Sequence, residues 1–131
     1  MMAKGTFETH DWTQGEPYAD HDGVTITPVT LGKTFHGDLT GSGVVHMTMA
    51  TTPVETSRSY VAVERVTGTL AGRTGGFLLQ HSAFSDRGEQ SLRVTVVADS
   101  GTGDLTGLRG EMTIHVDESG AHSYVFDWVC G

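Results

Sequence analysis

Apolar and polar residues alternate along most of this chain, which is the pattern of β-strands that bury one face. Tyr124, Phe126 and Trp128, for example, lie two residues apart and so share one face of a segment. No window of about 11 residues shows a clean helical period. The pattern predicts eight strands, at 5–13, 24–35, 43–51, 57–67, 77–84, 92–98, 112–117 and 123–129.

One short phrase, two glycines around a central leucine, recurs three times between these strands. The copies are GDLTG at 37–41, GTLAG at 68–72 and GDLTG at 103–107. They begin 31 and then 35 residues apart, about two strands plus their connections. Each copy is predicted to turn the chain, with some glycines at positive φ. The leucines are predicted to be buried at the edge of the core, at Leu39, Leu70 and Leu105.

Eight strands with no helix to cover a sheet leave two architectures, a sandwich or a closed barrel. Closure is favoured because it removes the exposed edges that many β-branched residues would otherwise present. We therefore predict an all-β fold, a single closed eight-stranded antiparallel barrel that spans 1–131 as one domain. The lumen of such a barrel holds side chains or one small ligand, so any function is expected there.

The net charge limits which partners the protein can bind, and the cysteine content indicates where it is located. The net charge is −8, so nucleic acid and anionic membrane surfaces would be repelled. Cys130 is the single cysteine, which excludes an intrachain disulfide and favours a cytoplasmic location. No apolar run is long enough to span a bilayer. The expected partner is a small hydrophobic molecule, and a homo-oligomer is left open.

No metal or cofactor is predicted. The seven histidines are scattered without zinc-like spacing, and the Asp20-His21-Asp22 cluster falls in a polar segment, 14–23, expected to be a surface loop. The glycine-rich stretch at 100–110 lacks the Lys-Ser/Thr ending of a phosphate loop.

Three longer motifs carry a family resemblance. With the corner phrases, VERVTG at 63–68, GGFLLQHS at 75–82 and SGTGDLTGLRG at 100–110 resemble DUF3224, a bacterial family of unknown function. That family looks like the allene-oxide-cyclase type of barrel, a calycin-like closed barrel of eight strands. The resemblance implies a fold, and by analogy an enzyme class that needs no cofactor because a snug cavity holds a reactive substrate in one conformer.

Glu64 and His81 are the candidate catalytic pair. Glu64 and Arg65 are neighbours in a strand, so one of them points inward. We predict Glu64, because the stem of Arg65 can lie along the outer wall and because the motif that carries the resemblance centres on this glutamate. A hairpin around Gly72 would set Glu64 opposite His81. The pair could act as general acid and base, or could be a buried polar pair that only stabilises the barrel.

His46 is a candidate ligand contact. Pairing around Val54 places it opposite Glu64, but Val45 and Met47 compete for the inward face of the same strand. Five aromatic residues could stack on a hydrophobic ligand or form ordinary core. They are Tyr60, Phe77, Tyr124, Phe126 and Trp128.

The sequence thus predicts a barrel that binds a small hydrophobic molecule, with a cofactor-independent cyclase or isomerase as the leading mechanism. A lipocalin-like carrier has the same cavity without chemistry, and a structural or interaction barrel has its lumen filled by side chains. An enzyme needs inward polar groups that converge on a bound ligand, whereas a carrier needs only an apolar cavity.

Overall fold

The structure, a computed structural model, describes all residues from 1 to 131 and contains ten β-strands and no helix. The strands are β1 (Met2–Gln14), β2 (Ala19–His21), β3 (Val24–Gly37), β4 (Leu39–Thr51), β5 (Arg58–Leu70), β6 (Arg73–Asp86), β7 (Glu89–Val96), β8 (Thr102–Gly103), β9 (Leu108–Val116) and β10 (His122–Cys130). It has no helix of the length and apolarity that a membrane crossing requires.

Eight of the strands form a closed barrel. Hydrogen-bonded neighbours follow the order β1-β10-β9-β7-β6-β5-β4-β3, and pairing of β1 with β3 closes the ring. Every pairing is antiparallel. Strands β2 and β8 lie outside this ring, on β3 and β6. The predicted closed eight-stranded antiparallel barrel is confirmed.

The strands are longer than the alternation alone predicts, and the difference lies at the glycine phrases. Gly41 and Gly68 pair across β4 and β5, so the end of the first phrase and the start of the second continue the ladder. The chain turns within the rest of each phrase, between β3 and β4 and between β5 and β6. A Cβ on Gly68 would collide with the carbonyl oxygen of Thr40, which explains why glycine is needed inside this pairing. The segment 14–23 also differs from the expected loop, because it contains β2, which forms a hairpin with β3.

One half of the lumen, here called the packed half, is filled by a cluster of 16 buried apolar residues. Leu39, Leu70 and Leu105 are completely buried in it, which confirms the role predicted for the corner phrases. Gly37 has a φ of +104°, and a Cβ there would lie 2.7 Å from the carbonyl oxygen of Lys4. Glycine is therefore required at this corner for both its backbone conformation and its close contact.

Tyr124 links the last strand to the corner between β3 and β4. Its hydroxyl accepts a hydrogen bond from the backbone N–H of Leu39 at 2.9 Å. The same hydroxyl lies 3.0 Å from the carbonyl oxygen of His36, to which it can donate. Burial raises the pKa of this phenol, a shift that the hydrogen bond from Leu39 opposes. The hydroxyl of Tyr124 therefore finds its hydrogen-bond partners within the packed half.

The other half, here called the open half, holds a smaller buried cluster. Its four members are Val29, Leu31, Val45 and Ala62. Met47, Met49 and Tyr60 pack against this cluster but remain partly exposed.

Three charged or titratable side chains separate the two halves. On β3, Lys33 lies between Leu31 of the open half and Phe35 of the packed half. On β5, Glu64 lies between Ala62 and Val66 in the same way. His81 follows the packed-half residue Leu79 along the inward face of β6. We call Lys33, Glu64 and His81 the polar layer.

Candidate functional site

The polar layer is joined through one carboxylate oxygen. Oε1 of Glu64 accepts a hydrogen bond from Nζ of Lys33 at 3.0 Å and lies 2.8 Å from Nε2 of His81. Lys33, Glu64 and His81 are 6%, 0% and 2% exposed, respectively, so the ion pair is buried. Because a carboxylate only accepts hydrogen bonds, Nε2 of His81 carries the proton in this contact, and its Nδ1 is the nitrogen left for other partners.

Glu64 is ionised in this setting. Burial acts to raise its pKa, but the hydrogen bond from His81 and the positive charge of Lys33 outweigh burial, so the pKa lies below its ordinary value of 4.5. Buried charges are tolerated when they are paired and hydrogen-bonded. The polar layer therefore consists of a buried ion pair and an imidazole held by the same carboxylate.

Gly43 makes room for this carboxylate. Lys33 pairs directly with Gly43 across β3 and β4, and Val45, two residues further on, pairs with Glu64 on β5. A Cβ on Gly43 would collide with Oε2 of Glu64. Oε2 is buried and has no hydrogen-bond partner in the protein. The missing side chain on β4 thus lets a cation on β3 reach an anion on β5 across the intervening strand.

A cavity of about 140 Å³ lies in the open half, with Lys33 and His81 among its lining residues. The remaining wall is largely apolar. Its buried or partly buried apolar residues are Phe7, Leu31, Val45, Met47 and Ile114. The cavity therefore combines apolar sides with a polar floor, which is the usual composition of a small-molecule site.

Trp12 marks the opening of the cavity, since its side chain lines it but is 57% exposed. Strand β1 has an irregular register between His10 and Thr13, and Asp11 has a φ of +57°. Such a bulge shifts the alternation of a strand and re-aims its side chains. The bulge explains why Thr9 and Trp12, three residues apart, both line the cavity.

Tyr60 and His122 complete the lining with polar groups. Burial, and then the negative charge of Glu64, raises the pKa of Tyr60, so its phenol stays protonated and can donate a hydrogen bond. The ring of His122 stacks on Phe7 at a centroid distance of 4.8 Å.

A larger groove of about 450 Å³ lies on the outside of the barrel near Gln80 and Arg93, but no buried polar residue lines it.

Comparison with known proteins assigns the family. Residues 3–128 match the family described as a protein of unknown function (DUF3224). The chain belongs to the DUF3224 family. A crystal structure of a DUF3224 protein of unknown function from Shewanella oneidensis MR-1 is 38% identical, with a TM-score of 0.92, and the match covers 100% of this chain and 97% of that one. Among curated proteins, none matches the sequence.

The DUF3224 membership predicted from the three motifs is confirmed, and the relative's structure agrees with the barrel. Neither match carries an activity, so the chemistry of this DUF3224 protein rests on its own site.

Glu64 and His81 both project into the lumen and lie within hydrogen-bond reach, but not in the predicted register. Ala62 is opposite His81, and Glu64 is opposite Leu79, so the two side chains meet diagonally. The turn between β5 and β6 is centred on Ala71 and Gly72, which shifts the pairing by two residues from the prediction. Their catalytic role in this DUF3224 chain stays a prediction.

His46 is placed differently from the prediction. Val45 is opposite Glu64 and is buried, whereas His46 is opposite Val63 and exposed on the outer surface. Alternation permits only one of the neighbours Val45 and His46 to face the lumen, and burial of the apolar one is favoured. His46 therefore has no access to the cavity.

The five predicted aromatic contacts divide between the two halves. Tyr60 lines the cavity. Phe77, Tyr124, Phe126 and Trp128 face the lumen but belong to the packed half, where Phe77 stacks on Phe126 at a centroid distance of 5.9 Å. The corner leucines share this cluster and leave no room for a ligand beside these rings, so these four do not line the cavity.

Sequence reasoning missed Lys33, Gly43, Trp12 and His122. A signal for Lys33 exists, because it alternates with Leu31 and Phe35 on an apolar face and a lysine is seldom buried unless it is paired. Trp12 carries no such signal, since its inward placement depends on the bulge in β1. Gly43 is recognisable only once its neighbour Glu64 is known to point inward.

Proposed function

We propose that this DUF3224 barrel binds a small molecule in the open half of its lumen, with an apolar body against the wall and one polar end on the polar layer. The observation that supports this proposal is that Lys33 and His81, both hydrogen-bonded to buried Glu64, line an otherwise largely apolar cavity. Apolar residues of similar volume often stabilise a core as well as a buried ion pair does, so stability alone does not account for this pair beside a cavity.

The size of the cavity limits the ligand. Pockets for drug-sized molecules usually measure about 300 to 1,000 Å³, whereas an apolar cavity of about 150 Å³ admits benzene. The cavity in the open half measures about 140 Å³, so it has room for a group the size of one aromatic ring. Any longer part of a ligand has to leave through the opening at Trp12.

An allene-oxide-cyclase-like isomerase or cyclase is the second candidate, and it is supported by the arrangement of His81. Glu64 is completely buried and does not line the cavity, so it does not contact a ligand held there. His81 lines the cavity, with Nε2 held by the carboxylate and Nδ1 left for proton transfer. In such an enzyme His81 is the acid or base, and Glu64 is a positioning residue.

The cavity size argues against one part of the allene-oxide-cyclase analogy. A long polyene chain cannot be enclosed in about 140 Å³, so only a small reacting segment of such a substrate could reach His81. The cytoplasmic location, the lack of a cofactor and a possible homo-oligomer stay predictions.

Binding can be tested by an amide NMR titration with benzoate and benzamide, which share a ring-sized body and carry a polar end. We expect saturable shifts for residues around the polar layer. Thr9→Trp fills the cavity from an exposed position on its lining, and Thr6→Trp places the same side chain on the outside of the same strand. Binding should be lost in Thr9→Trp and retained in Thr6→Trp. If neither probe binds, or if both variants bind equally well, the proposal is wrong.

A further inference from the structure

We infer that the ligand of the open half is a small anion, a carboxylate on an apolar body, and that His81 takes up a proton when this anion binds. The inference rests on the proposed function, and it adds the charge of the ligand and a proton to the binding reaction.

The cavity is lined by hydrogen-bond donors of Lys33 that no acceptor of the protein satisfies. The amine of Lys33 has three N–H donors and makes one hydrogen bond in the protein, to Glu64. Its other surroundings include the ring of Phe7, whose centroid lies 4.7 Å from Nζ. A carboxylate above Lys33 would accept the donors that remain, and charge-assisted hydrogen bonds of this kind are the stronger class.

The sign of charge in the cavity is opposite to that of the protein. The chain carries 16 acidic and 8 basic residues, yet no aspartate or glutamate lines the cavity. The one charged side chain of fixed sign that lines it is Lys33, accompanied by two imidazoles, His81 and His122. Such a lining favours an anion and disfavours a cation of the same shape.

Charge balance then requires a proton. Lys33 and Glu64 neutralise each other, so an anion would leave the buried layer with one uncompensated negative charge. A proton taken from solvent onto Nδ1 of His81 restores neutrality, while Nε2–H keeps its hydrogen bond to Glu64. The bound carboxylate would then be held between two cations.

The other groups around His81 agree with this assignment. Titratable side chains surround His81 from three strands. Lys33 on β3, Tyr60 on β5 and His122 on β10 line the cavity with it, and Glu64 on β5 contacts its Nε2 from outside the cavity lining. Strands β1, β4, β7 and β9 contribute no charged side chain to this region of the lumen. His122 is thus the one other imidazole that could accept the proton, and a variant can separate the two histidines.

The test uses three probes of one shape and different charge, benzoate, benzamide and benzamidinium, in NMR titrations of the full chain at about pH 6 and pH 8. We expect benzoate to bind about tenfold more tightly than benzamide at pH 6, since it adds charge-assisted hydrogen bonds, and benzamidinium to bind least. Benzoate binding should weaken toward pH 8, whereas benzamide binding should not change.

Calorimetry in buffers with different ionisation enthalpies measures the proton directly. Uptake of up to one proton is expected with benzoate, lost in His81→Gln, and retained in His122→Gln and in His46→Gln, an outer-surface control. Gln in place of His81 keeps a donor for Glu64 and so preserves its hydrogen bond.

The outcomes separate the two proposals. If no probe binds, the proposed function itself fails. If benzamide or benzamidinium binds as tightly as benzoate, the site exists but the anion inference is overturned. If benzoate binds without proton uptake, or if His122→Gln rather than His81→Gln removes the uptake, the role of His81 is overturned. The comparison of probes uses the unmodified protein, so its result does not depend on whether a variant folds.

Discussion

The two halves of the lumen are built from the same eight strands but use their inward positions differently. In the packed half, apolar side chains fill the space, and the one buried tyrosine hydroxyl is hydrogen-bonded to the backbone. In the open half, a cavity remains above a buried ion pair in which Oε2 of Glu64 lacks a hydrogen-bond partner. Unsatisfied buried polar atoms are rare in native proteins and call for an explanation.

This contrast indicates which half of the lumen stabilises the fold and which half holds the candidate site. The packed half is filled by buried apolar side chains, and its tyrosine hydroxyl is hydrogen-bonded, as expected of a folding core. The open half keeps a charged layer that apolar residues of similar volume could replace without loss of stability. We therefore attribute the fold to the packed half and the site to the polar layer with the space above it.

The largest effect is expected from breaking the ion pair on one side only. Glu64→Leu leaves Lys33 buried without a partner and should lower the free energy of unfolding by about 3 to 5 kcal/mol in urea denaturation. The double variant Lys33→Met with Glu64→Leu should recover most of this loss, because both charges are then absent. Equal losses in the single and double variants would show that the pair is not coupled.

The next largest effect concerns the packed half. Leu70→Ala should destabilise the barrel by about 2 to 5 kcal/mol, since Leu70 is completely buried and its removal leaves a new void. Leu31→Ala should fall at or below the low end of this range, because Leu31 already borders a cavity. An unfolding free energy of Leu70→Ala within about 0.5 kcal/mol of the unmodified protein would contradict the assignment.

Gly43→Ala should have a smaller effect on stability but a direct effect on the polar layer. The added methyl group collides with Oε2 of Glu64, so the carboxylate has to move away from Lys33 and His81. We expect a loss of about 1 to 3 kcal/mol, typical of overpacking, together with weakened benzoate binding. Ser42→Ala, on the exposed face of the same strand, is the control and should change neither.

The smallest effect is the acid dependence of stability contributed by Glu64. Its pKa in the folded protein is lowered, with burial outweighed by the hydrogen bond from His81 and the charge of Lys33. A carboxyl of this kind stabilises the fold above its unfolded pKa, and the contribution is lost as the pH falls through the folded pKa. The stability difference between the unmodified protein and Glu64→Gln should therefore be flat from about pH 6 to 8 and shrink below 4.5. A difference that grows on acidification would contradict this sign.

Most of the packed half could be predicted from the sequence, because its signals are local. The glycine phrases and the alternation of apolar residues identify the corners, the three leucines and the barrel. Alternation also requires one of the neighbours Glu64 and Arg65 to face inward. The choice of Glu64 needs two further arguments, the long stem of Arg65 and the family resemblance.

The open half could be predicted only in part, because its geometry depends on register and on one irregularity. A shift of two residues between β5 and β6 places Ala62 opposite His81, and a shift of one between β4 and β5 exposes His46. A one-residue shift in register moves a side chain to the opposite face of a sheet. The bulge that brings Trp12 to the cavity leaves no mark in the alternation pattern.

A crystal structure of the protein soaked in the tighter-binding of benzoate and benzamide tests the division of the lumen most directly. The account predicts density for one ring in the open half, with its polar end within hydrogen-bond distance of Nζ of Lys33 or Nδ1 of His81, and none in the packed half. A ring bound only on the outer surface, or among Phe77, Phe126 and the corner leucines, would contradict it.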